Sequence, residues 1–180
     1  MASLKVKLDI DPVIRSLDRL GTQLAEKAIT RSLNKTINSV KTDASRKVRE
    51  ELTLLDKDVK RDLAVRRARR GQLEAAVVVT VRRTGLIKFR ARQTARGVTV
   101  QVKRKGGRKL LAHAFIAKMP SGHRGVFERE KGVKRLPINE LLSGSVGQFL
   151  DNERVLSQIG EAAQEKFTKE LSSQVDFLLR

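Results

Sequence analysis

Hydrophobic and charged residues alternate at the start of the chain. Aliphatic residues stand at every second position from Leu4 to Ile10, and Lys or Asp stands between them. A period of two is typical of a half-buried β-strand, because successive side chains of a strand point to opposite faces. The pattern predicts a strand within residues 1–10.

A helical period follows this strand. Asp11 suits an N-cap position, and Pro12 suits the first position of a helix. Apolar residues then recur every three or four positions from Ile14 to Val48, interrupted at most by Gly21. This spacing predicts one amphipathic helix of about 38 residues. A helix of that length would cross an extended sheet or reach a neighbouring subunit.

A shorter helix is predicted after a break at residues 52–55. It begins near Asp56, carries basic residues towards its end at Arg70, and stops at Gly71. Acids in the first turn and bases in the last suit the helix dipole, and glycine often terminates a helix. Residues 11–70 are therefore predicted to form a helical region.

The middle of the chain is rich in strand patterns. Short turns are indicated by Thr84-Gly85, by Ala95-Arg96-Gly97 and by Gly106-Gly107. Connections this short favour antiparallel pairing, so residues 74–130 are predicted to form an antiparallel meander. The predicted strands are 75–81, 87–92, 98–103, 110–118 and 126–129.

The last fifty residues complete the prediction. Residues 131–150 are assigned to a connector, and residues 151–180 to a helix with an apolar residue every three or four positions. The whole chain, 1–180, is predicted to be one α+β domain. Its long N-terminal helix and its C-terminal helix would pack on an antiparallel β-sheet of four to six strands.

Composition narrows the classes of function. The chain has six Phe, no Trp, no Tyr and no Cys. Few aromatics disfavour binding of single-stranded nucleic acid by base stacking, and the lack of cysteine excludes disulfides and thiolate chemistry. The first ten residues lack the apolar core of a signal peptide, and no apolar run approaches the length of a membrane span. We therefore expect neither secretion by a signal peptide nor contact with a membrane.

Positive charge is concentrated in one part of the chain. Residues 60–109 hold seventeen Lys and Arg but only two acids, so they carry about fifteen of the nineteen net positive charges. Charge of this density indicates a polyanion or an acidic protein surface as partner, although a merely solvated surface is the plain alternative. No base-reading motif is present, so contact with DNA would be directed to its backbone.

The predicted strand 87–92 would place Lys88, Arg90 and Arg92 on one face, with further cations at the next hairpin tip. The residues predicted to bind a polyanion or a partner are Arg82, Arg83, Lys88, Arg90, Arg92, Arg96, Lys103, Arg104, Lys105, Arg108 and Lys109.

No catalytic constellation stands out. The two histidines, His113 and His123, have no carboxylates at metal-ligand or acid–base spacing nearby in sequence, and Glu50-Glu51 resembles a solvated helix end more than a catalytic dyad. We expect no enzymatic activity, no cofactor and no metal, with a nuclease as the remote alternative.

One block of sequence carries a family resemblance. Ala114-Phe115-Ile116, then Met119-Pro120-Ser121-Gly122-His123-Arg124-Gly125-Val126-Phe127, then Arg135-Leu136-Pro137-Ile138-Asn139-Glu140-Leu141 are the segments concerned. They resemble the minor tail protein Z family of tailed bacteriophages and prophages. Residues 85–94 also resemble its central strand, whereas 143–146 departs from the more usual Gly-Pro-Ser-Val.

The resemblance implies a structural virion component without enzymatic activity. It would act in tail completion at the head-proximal end of the tail, in the neck, and help to join tail and head. Its implied partners are a tail terminator, the tail tube or a connector, and copies of itself in a ring. Contact with the phage genome end is also implied. The protein would be found in the virion and, during assembly, in the bacterial cytoplasm.

The motif is expected to form an ordered surface loop. Proline restricts φ and glycine permits positive φ, Phe115 and Phe127 would anchor the loop, and Arg124 and Arg135 would hold it by charge-assisted bonds. The motif residues given this structural or assembly role are Phe115, Met119, Pro120, Gly122, His123, Arg124, Gly125, Phe127, Arg135, Leu136, Pro137 and Ile138.

A second class of function stays open at this point. A free-standing, sequence-independent DNA-binding protein of the architectural kind would also carry a folded basic surface. Whether the basic face meets DNA or protein is not decided by the sequence.

Overall fold

The computed structural model describes residues 2–4, 8, 17, 21–130 and 136–179. Across these residues the chain combines two long helices, two short helices and eleven short strands. The predicted α+β class, with a long helix towards each end of the chain and antiparallel strands between them, is confirmed.

The first long helix, α1, spans Gly21–Glu51. Gly21 has a φ of +69°, which glycine adopts without the steric cost of a side chain. The predicted start of the helix at Asp11 lies outside the described residues. The buried residues of α1 recur at helical spacing and define one inward face: Ala28, Ser32, Thr36, Ile37, Val40, Ala44, Ser45 and Val48.

The second long helix, α4, spans Glu153–Leu179 and packs along α1. Lys166 Nζ lies 2.6 Å from Asp43 Oδ2, and Lys35 Nζ lies 2.6 Å from Glu170 Oε2. Because residue 35 faces residue 170 while residue 43 faces residue 166, the helices run antiparallel. The buried residues of α4 are spaced by four throughout: Ile159, Ala163, Phe167, Leu171 and Val175.

The second predicted helix is much shorter than expected. Helix α2 covers only Asp56–Arg61, and the chain continues as strand β2 over Leu63–Arg66. Strand pairing with residues 76–79 satisfies this backbone and buries Leu63, so tertiary context overrides helix propensity. Gly71, with a φ of +74°, lies in the turn between two strands instead of ending a helix.

The strands form four small antiparallel sheets instead of one meander. Their orders are β1-β3-β2, β10-β9-β8, β11-β4 and β5-β6-β7. The bounds are β1 Ala2–Leu4, β2 Leu63–Arg66, β3 Ala76–Val79, β4 Thr84–Gly85, β5 Arg92–Thr94, β6 Gly97–Val100, β7 Lys109–Ala112, β8 Phe115–Lys118, β9 Arg124–Arg129, β10 Ile138–Glu140 and β11 Leu142–Ser143.

Two predicted strands are corrected. Residues Leu86–Lys88 form a one-turn 3-10 helix, and Arg90 has a φ of +50°, so 87–92 is not a strand and its cations do not share a strand face. The turn lets Phe89 reach the core, where it is 1% exposed. The predicted strand 110–118 is divided at His113, whose φ is +66°, into β7 and β8.

The predicted connector 131–150 contains regular structure. Besides β10 and β11 it holds helix α3, Val146–Leu150. Ser145 Oγ accepts a hydrogen bond from Gln148 N, and Gln148 Oε1 accepts one from Ser145 N, which is a capping box. Residues 131–135 lie outside the described residues.

The buried side chains form two clusters. The larger joins the C-terminal half of α1 to the sheets and to α3, and includes Val48, Phe89, Val126 and Leu150. The smaller lies between the other ends of α1 and α4, around Ala28, Phe167 and Leu171. The sheets thus hold the family motif at the end of the molecule away from the second cluster.

Candidate functional site

The centre of the family motif is the hairpin that joins β8 to β9. Gly122 N donates to Met119 O at 2.8 Å, and Met119 N donates to His123 O at 2.7 Å. Pro120 takes the second position of this turn, where its fixed φ fits, and Gly122 takes a φ of +85°. Residues 119–123 thus form a tight turn in which Pro120 and the positive φ of Gly122 suit the backbone, and the assembly role given to the motif stays a prediction.

The two halves of the motif meet in space. Strand β10 pairs with β9, so that Glu140 faces Phe127 and Ile138 faces Arg129. His123 Nε2 lies 3.0 Å from Glu140 Oε1. The histidine of the first half therefore contacts the carboxylate of the second, which explains why both segments occur together in one motif.

Two glycines make room for that carboxylate. A Cβ on Gly125 would lie 2.8 Å from Glu140 Oε1 and 2.9 Å from the Phe127 ring, and one on Gly85 would lie 3.1 Å from the same oxygen. Distances this short force a neighbour to move. Gly125 is thus required by close packing. Its φ does not lie in the left-handed region.

Aromatic contacts support the hairpin from beneath. The rings of Phe115 and Phe127 are 6.2 Å apart, and His123 meets Phe127 edge-on at 6.3 Å. The Arg129 guanidinium lies 4.7 Å from the centre of the Phe115 ring, in range of a cation–π interaction. Phe127 is buried and Phe115 half-buried, as anchors of the loop should be.

The arginines of the motif differ from the prediction. The Arg124 side chain is exposed and makes no hydrogen bond or ion pair with any residue that the structure describes, so it does not hold the loop in the expected way. Arg135 lies outside the described residues. Leu136 and Pro137 are exposed, and Ile138 is half-buried in β10.

A cleft of about 730 Å³ opens beside this hairpin. We name it the motif cleft. It is lined by the end of α2, the β3–β4 loop, the 3-10 turn, the tip of β9 and the strands β10 and β11. Its cations are Arg61, Arg82, Arg83, Lys88 and Arg124, together with His123, and its carboxylates are Asp62 and Glu140.

Only part of this positive charge is neutralised locally. Lys88 Nζ lies 3.2 Å from Asp58 Oδ1, with both side chains largely buried. Arg61 has only long contacts, 3.9 Å to Asp58 and 3.8 Å to Asp62. For Arg82 and Arg83, as for Arg124, the described part of the chain provides no carboxylate within ion-pair distance.

A second basic surface lies on the β5-β6-β7 sheet. Arg92, Thr99 and Leu110 are neighbours across its strands and project to one side, while Val98 packs inward on the other. Arg108 joins this outer sheet face: one guanidinium nitrogen donates to Arg90 O at 2.6 Å and to Thr99 O at 3.0 Å.

The remaining predicted cations are placed differently. Arg96 is exposed in the turn between β5 and β6, and Lys109 is exposed opposite Val100, on the other side of the sheet from Arg92. Lys103, Arg104 and Lys105 lie beside the C-terminus of α1, where Arg104 N donates to Glu51 O at 2.7 Å and Arg104 Nε donates to Arg49 O. Arg104 is therefore a helix-capping residue, since a cation satisfies the last carbonyls of a helix and its dipole.

The single basic face expected from the sequence is divided: most of these cations lie at the motif cleft, on the outer sheet face or beside the C-terminus of α1, and Lys109 lies on the opposite side of the sheet. Ten of the eleven predicted cations are exposed, and Lys88 is half-buried. Their binding role stays a prediction. Sequence reasoning missed Arg61, Asp62 and Gly85 because they come from distant segments. Sequence reasoning named Glu140 without giving it a role. The position of Glu140 within the motif was the signal that could have identified it as a site residue.

The part of the chain that the structure describes offers no cluster of metal ligands. No group of three or more histidines or carboxylates there could hold a metal ion. None of the described helices is long and apolar enough to cross a bilayer.

Comparison with known proteins identifies the family. Searches of curated proteins and of solved structures gave no match. A sequence model of the prophage minor tail protein Z family matches residues 9–180, nearly the whole chain. This match agrees with the resemblance carried by the hairpin motif, and the chain belongs to the prophage minor tail protein Z family.

Proposed function

We propose that this minor tail protein completes the tail at its head-proximal end and helps to join it to the filled head. The observation that carries the proposal is the excess of exposed cations in residues 82–109, most of them in the loops and turns between short strands, and several without a carboxylate partner among the described residues. Such charge is stabilised when an anionic surface covers it in an assembled particle.

The neighbours we propose are the tail terminator, the tail tube or a connector, and further copies of the chain in a ring. Exposed apolar side chains at one end of the long helices support contact with another protein. Phe177 is 65% exposed and Leu179 50% exposed in α4, and Leu24 is 40% exposed in α1. Exposed apolar side chains that lie close together mark interaction surfaces, whereas single ones are common on protein surfaces.

For the outer sheet face we propose contact with the DNA backbone at the genome end. It presents Arg92 on strand β5 and Arg108 just before strand β7, with Arg96 in the turn between β5 and β6. Flat basic surfaces without base-reading devices bind duplex DNA in a sequence-independent and salt-dependent way.

An assembly experiment tests the joining role. We expect that a phage or prophage lacking the gene produces filled heads and separate tails in electron micrographs, and that plasmid-borne wild-type protein restores joined particles. Cryo-electron microscopy should then locate the protein between tail and head. Normal infectious particles without the protein would contradict the proposal.

A binding experiment tests the DNA contact. The double variant R92E/R96E should lower affinity for a 20-base-pair duplex and reduce the slope of log K against log salt by about two, because each phosphate contact contributes about 0.9 to it. A control that carries the same change of charge, K57E/K169E, alters exposed lysines on the helices and should leave the slope nearly unchanged. Equal losses in the two variants would reject the outer sheet face as the DNA surface.

The same measurement distinguishes the proposed virion role from the alternative function. A free-standing DNA-binding protein would bind duplex tightly as a monomer at physiological salt. The proposed virion role predicts weak binding that disappears as salt rises.

A further inference from the structure

We propose that the motif cleft binds an acidic peptide segment of a neighbouring virion protein. The inference rests on the proposed function only for the identity of that partner. The cleft and its chemistry stand on the geometry of the hairpin and the strands around it.

The shape of the cleft favours a peptide over a duplex. Its volume of about 730 Å³ is in the usual range for clefts that enclose a small ligand, which is about 300–1,000 Å³. A few side chains can enter such a space, whereas a duplex can only lie across its rim. The outer sheet face, which is open and flat, offers the better surface for phosphates.

The charges in the cleft select carboxylates. Arg82, Arg83 and Arg124 line the cleft, and the described residues supply no ion-pair partner for them. Guanidinium groups bind carboxylates through two parallel hydrogen bonds, which gives both strength and direction. The two carboxylates of the cleft, Asp62 and Glu140, are outnumbered by its five Lys and Arg residues, so the lining keeps an excess of positive charge.

The cleft also has an apolar side, which a peptide can use and a phosphate backbone cannot. Leu142, at the start of β11, is 44% exposed, and the half-buried Ile87 lies beside it among the lining residues. The floor is fixed by the β11–β4 pairing and by the hydrogen bond from Leu86 N to Leu141 O at 3.1 Å. A preformed floor lowers the entropic cost of binding. The preferred ligand is therefore an extended segment with two or three carboxylates and at least one aliphatic side chain.

Fluorescence anisotropy with the full-length protein tests the proposal. The probe is a labelled ten-residue peptide of Asp, Glu and Leu at physiological salt, compared with the same peptide carrying Asn and Gln. We expect R82E/R83E to weaken binding of the acidic peptide at least tenfold and Leu142→Ser to weaken it about threefold, while the amide peptide binds no variant measurably. Circular dichroism melting curves confirm that each variant is folded.

The matched control is R92E/R96E, which makes the same change of charge on the outer sheet face. It should change peptide affinity less than twofold. Equal weakening by both double variants would mean that the peptide responds only to the net charge, and would overturn the proposal. Displacement of the bound peptide by a 20-base-pair duplex at physiological salt, with duplex binding lost in R82E/R83E, would assign the cleft to DNA and overturn it as well.

Failure of the cleft proposal can be distinguished from failure of the joining role. If peptide binding behaves as expected while particles lacking the protein still join heads to tails, the joining role is rejected and the cleft is retained. If joining depends on the protein but R82E/R83E binds the peptide normally, the cleft is rejected and the joining role is retained.

Discussion

The pair of long helices and the strand-rich middle of the chain are built on different principles. In the helix pair, buried residues recur mostly at every fourth position, and ion pairs such as Lys166 with Asp43 join the surfaces. In the middle, short strands pair in four small sheets, some glycines approach their neighbours closely, and Arg90 and His113 take positive φ values. Regular packing provides stability, whereas irregular turns bring distant charged residues together.

Charge follows the same division. Residues 60–109 contain seventeen bases and two acids, whereas α4, residues 153–179, contains five acids and three bases. Repulsion within the middle region therefore opposes folding, and burial in the helix pair offsets it. From this difference we expect substitutions in the helices to change stability but not binding of the acidic peptide. Substitutions around the cleft should change both.

The largest effect is expected for Phe167→Ala in α4. Phe167 is 1% exposed, and loss of a buried phenyl ring typically costs about 3–5 kcal/mol of unfolding free energy. Urea denaturation should show the loss, while the acidic peptide binds with unchanged affinity under conditions where the variant is folded. The exposed neighbour Glu165→Ala is the control and should stay within about 0.5 kcal/mol of wild type. A change in peptide affinity would show that the two regions are coupled.

Gly125→Ala should have the next largest effect, and it should affect both properties. The added methyl group would lie 2.8 Å from Glu140 Oε1 and 2.9 Å from the Phe127 ring, so we expect a loss of about 1–3 kcal/mol from overpacking. It should also weaken peptide binding, since Glu140 and His123 line the cleft.

The control for this glycine is Gly107→Ala. No atom lies within 4 Å of the Cβ position of Gly107 and its φ is not in the left-handed region, so stability and peptide binding should be close to wild type. Equal effects of the two alanines would remove the packing argument for the motif.

The helices were predictable because their signal is local. Apolar residues every three or four positions from residue 21 to 48 and from 156 to 178 require only neighbours on the same helix face. Their existence and type were predicted from that spacing, and so were most of their inward residues. Leu24 is an exception, since it is 40% exposed, and the buried Ser32 and Thr36 were not predicted. The alternating run around Val98 and the run at 126–129 also gave strands.

The errors share one physical cause, which is contact between distant segments. Residues 63–66 were predicted as helix because the acids near Asp56 and the bases before Gly71 suggested the two ends of a helix, but pairing with β3 decides their structure. The 3-10 turn at 86–88 depends on Phe89 reaching the core. For the same reason the motif cleft could not be foreseen, because Arg61, Arg82, Arg124 and Leu142 come from four separate segments.

Glu140→Gln should have a smaller effect, and it separates the charge of Glu140 from its contact with His123. The amide keeps a polar contact with His123 but removes a negative charge from the cleft. We expect peptide affinity to rise about two- to threefold, and stability to fall by about 1 kcal/mol or less, as for a partly exposed hydrogen-bonded pair. Anisotropy titration and urea denaturation measure the two quantities. A fall in peptide affinity would show that Glu140 acts by ordering the cleft and not through its charge.

The smallest effect concerns Asp56, which lies where the helix pair meets the middle region. Its carboxylate is 2.7 Å from Lys60 Nζ, 2.8 Å from Ser45 Oγ and 3.3 Å from an Arg49 nitrogen. The hydrogen bonds from Lys60 and Ser45 lower the pKa of Asp56 below its usual value. A lowered folded-state pKa means that this carboxylate stabilises the protein above the unfolded-state pKa of about 3.9, and that the stabilisation is lost as pH falls through the folded-state pKa.

Asp56→Asn should therefore be less stable than wild type at pH 7, and the difference should shrink as pH falls below about 4, because protonated Asp56 and Asn are then alike in charge. Urea midpoints of both proteins from pH 7 to pH 2.5 measure this. Asp176→Asn is the control, since Asp176 is exposed near the end of α4 and has no ion-pair partner among the described residues. Its difference from wild type should be small throughout. If the difference in stability between Asp56→Asn and wild type did not change with pH, the contacts of Asp56 would stabilise the protein through hydrogen-bond geometry and not through the charge of the carboxylate.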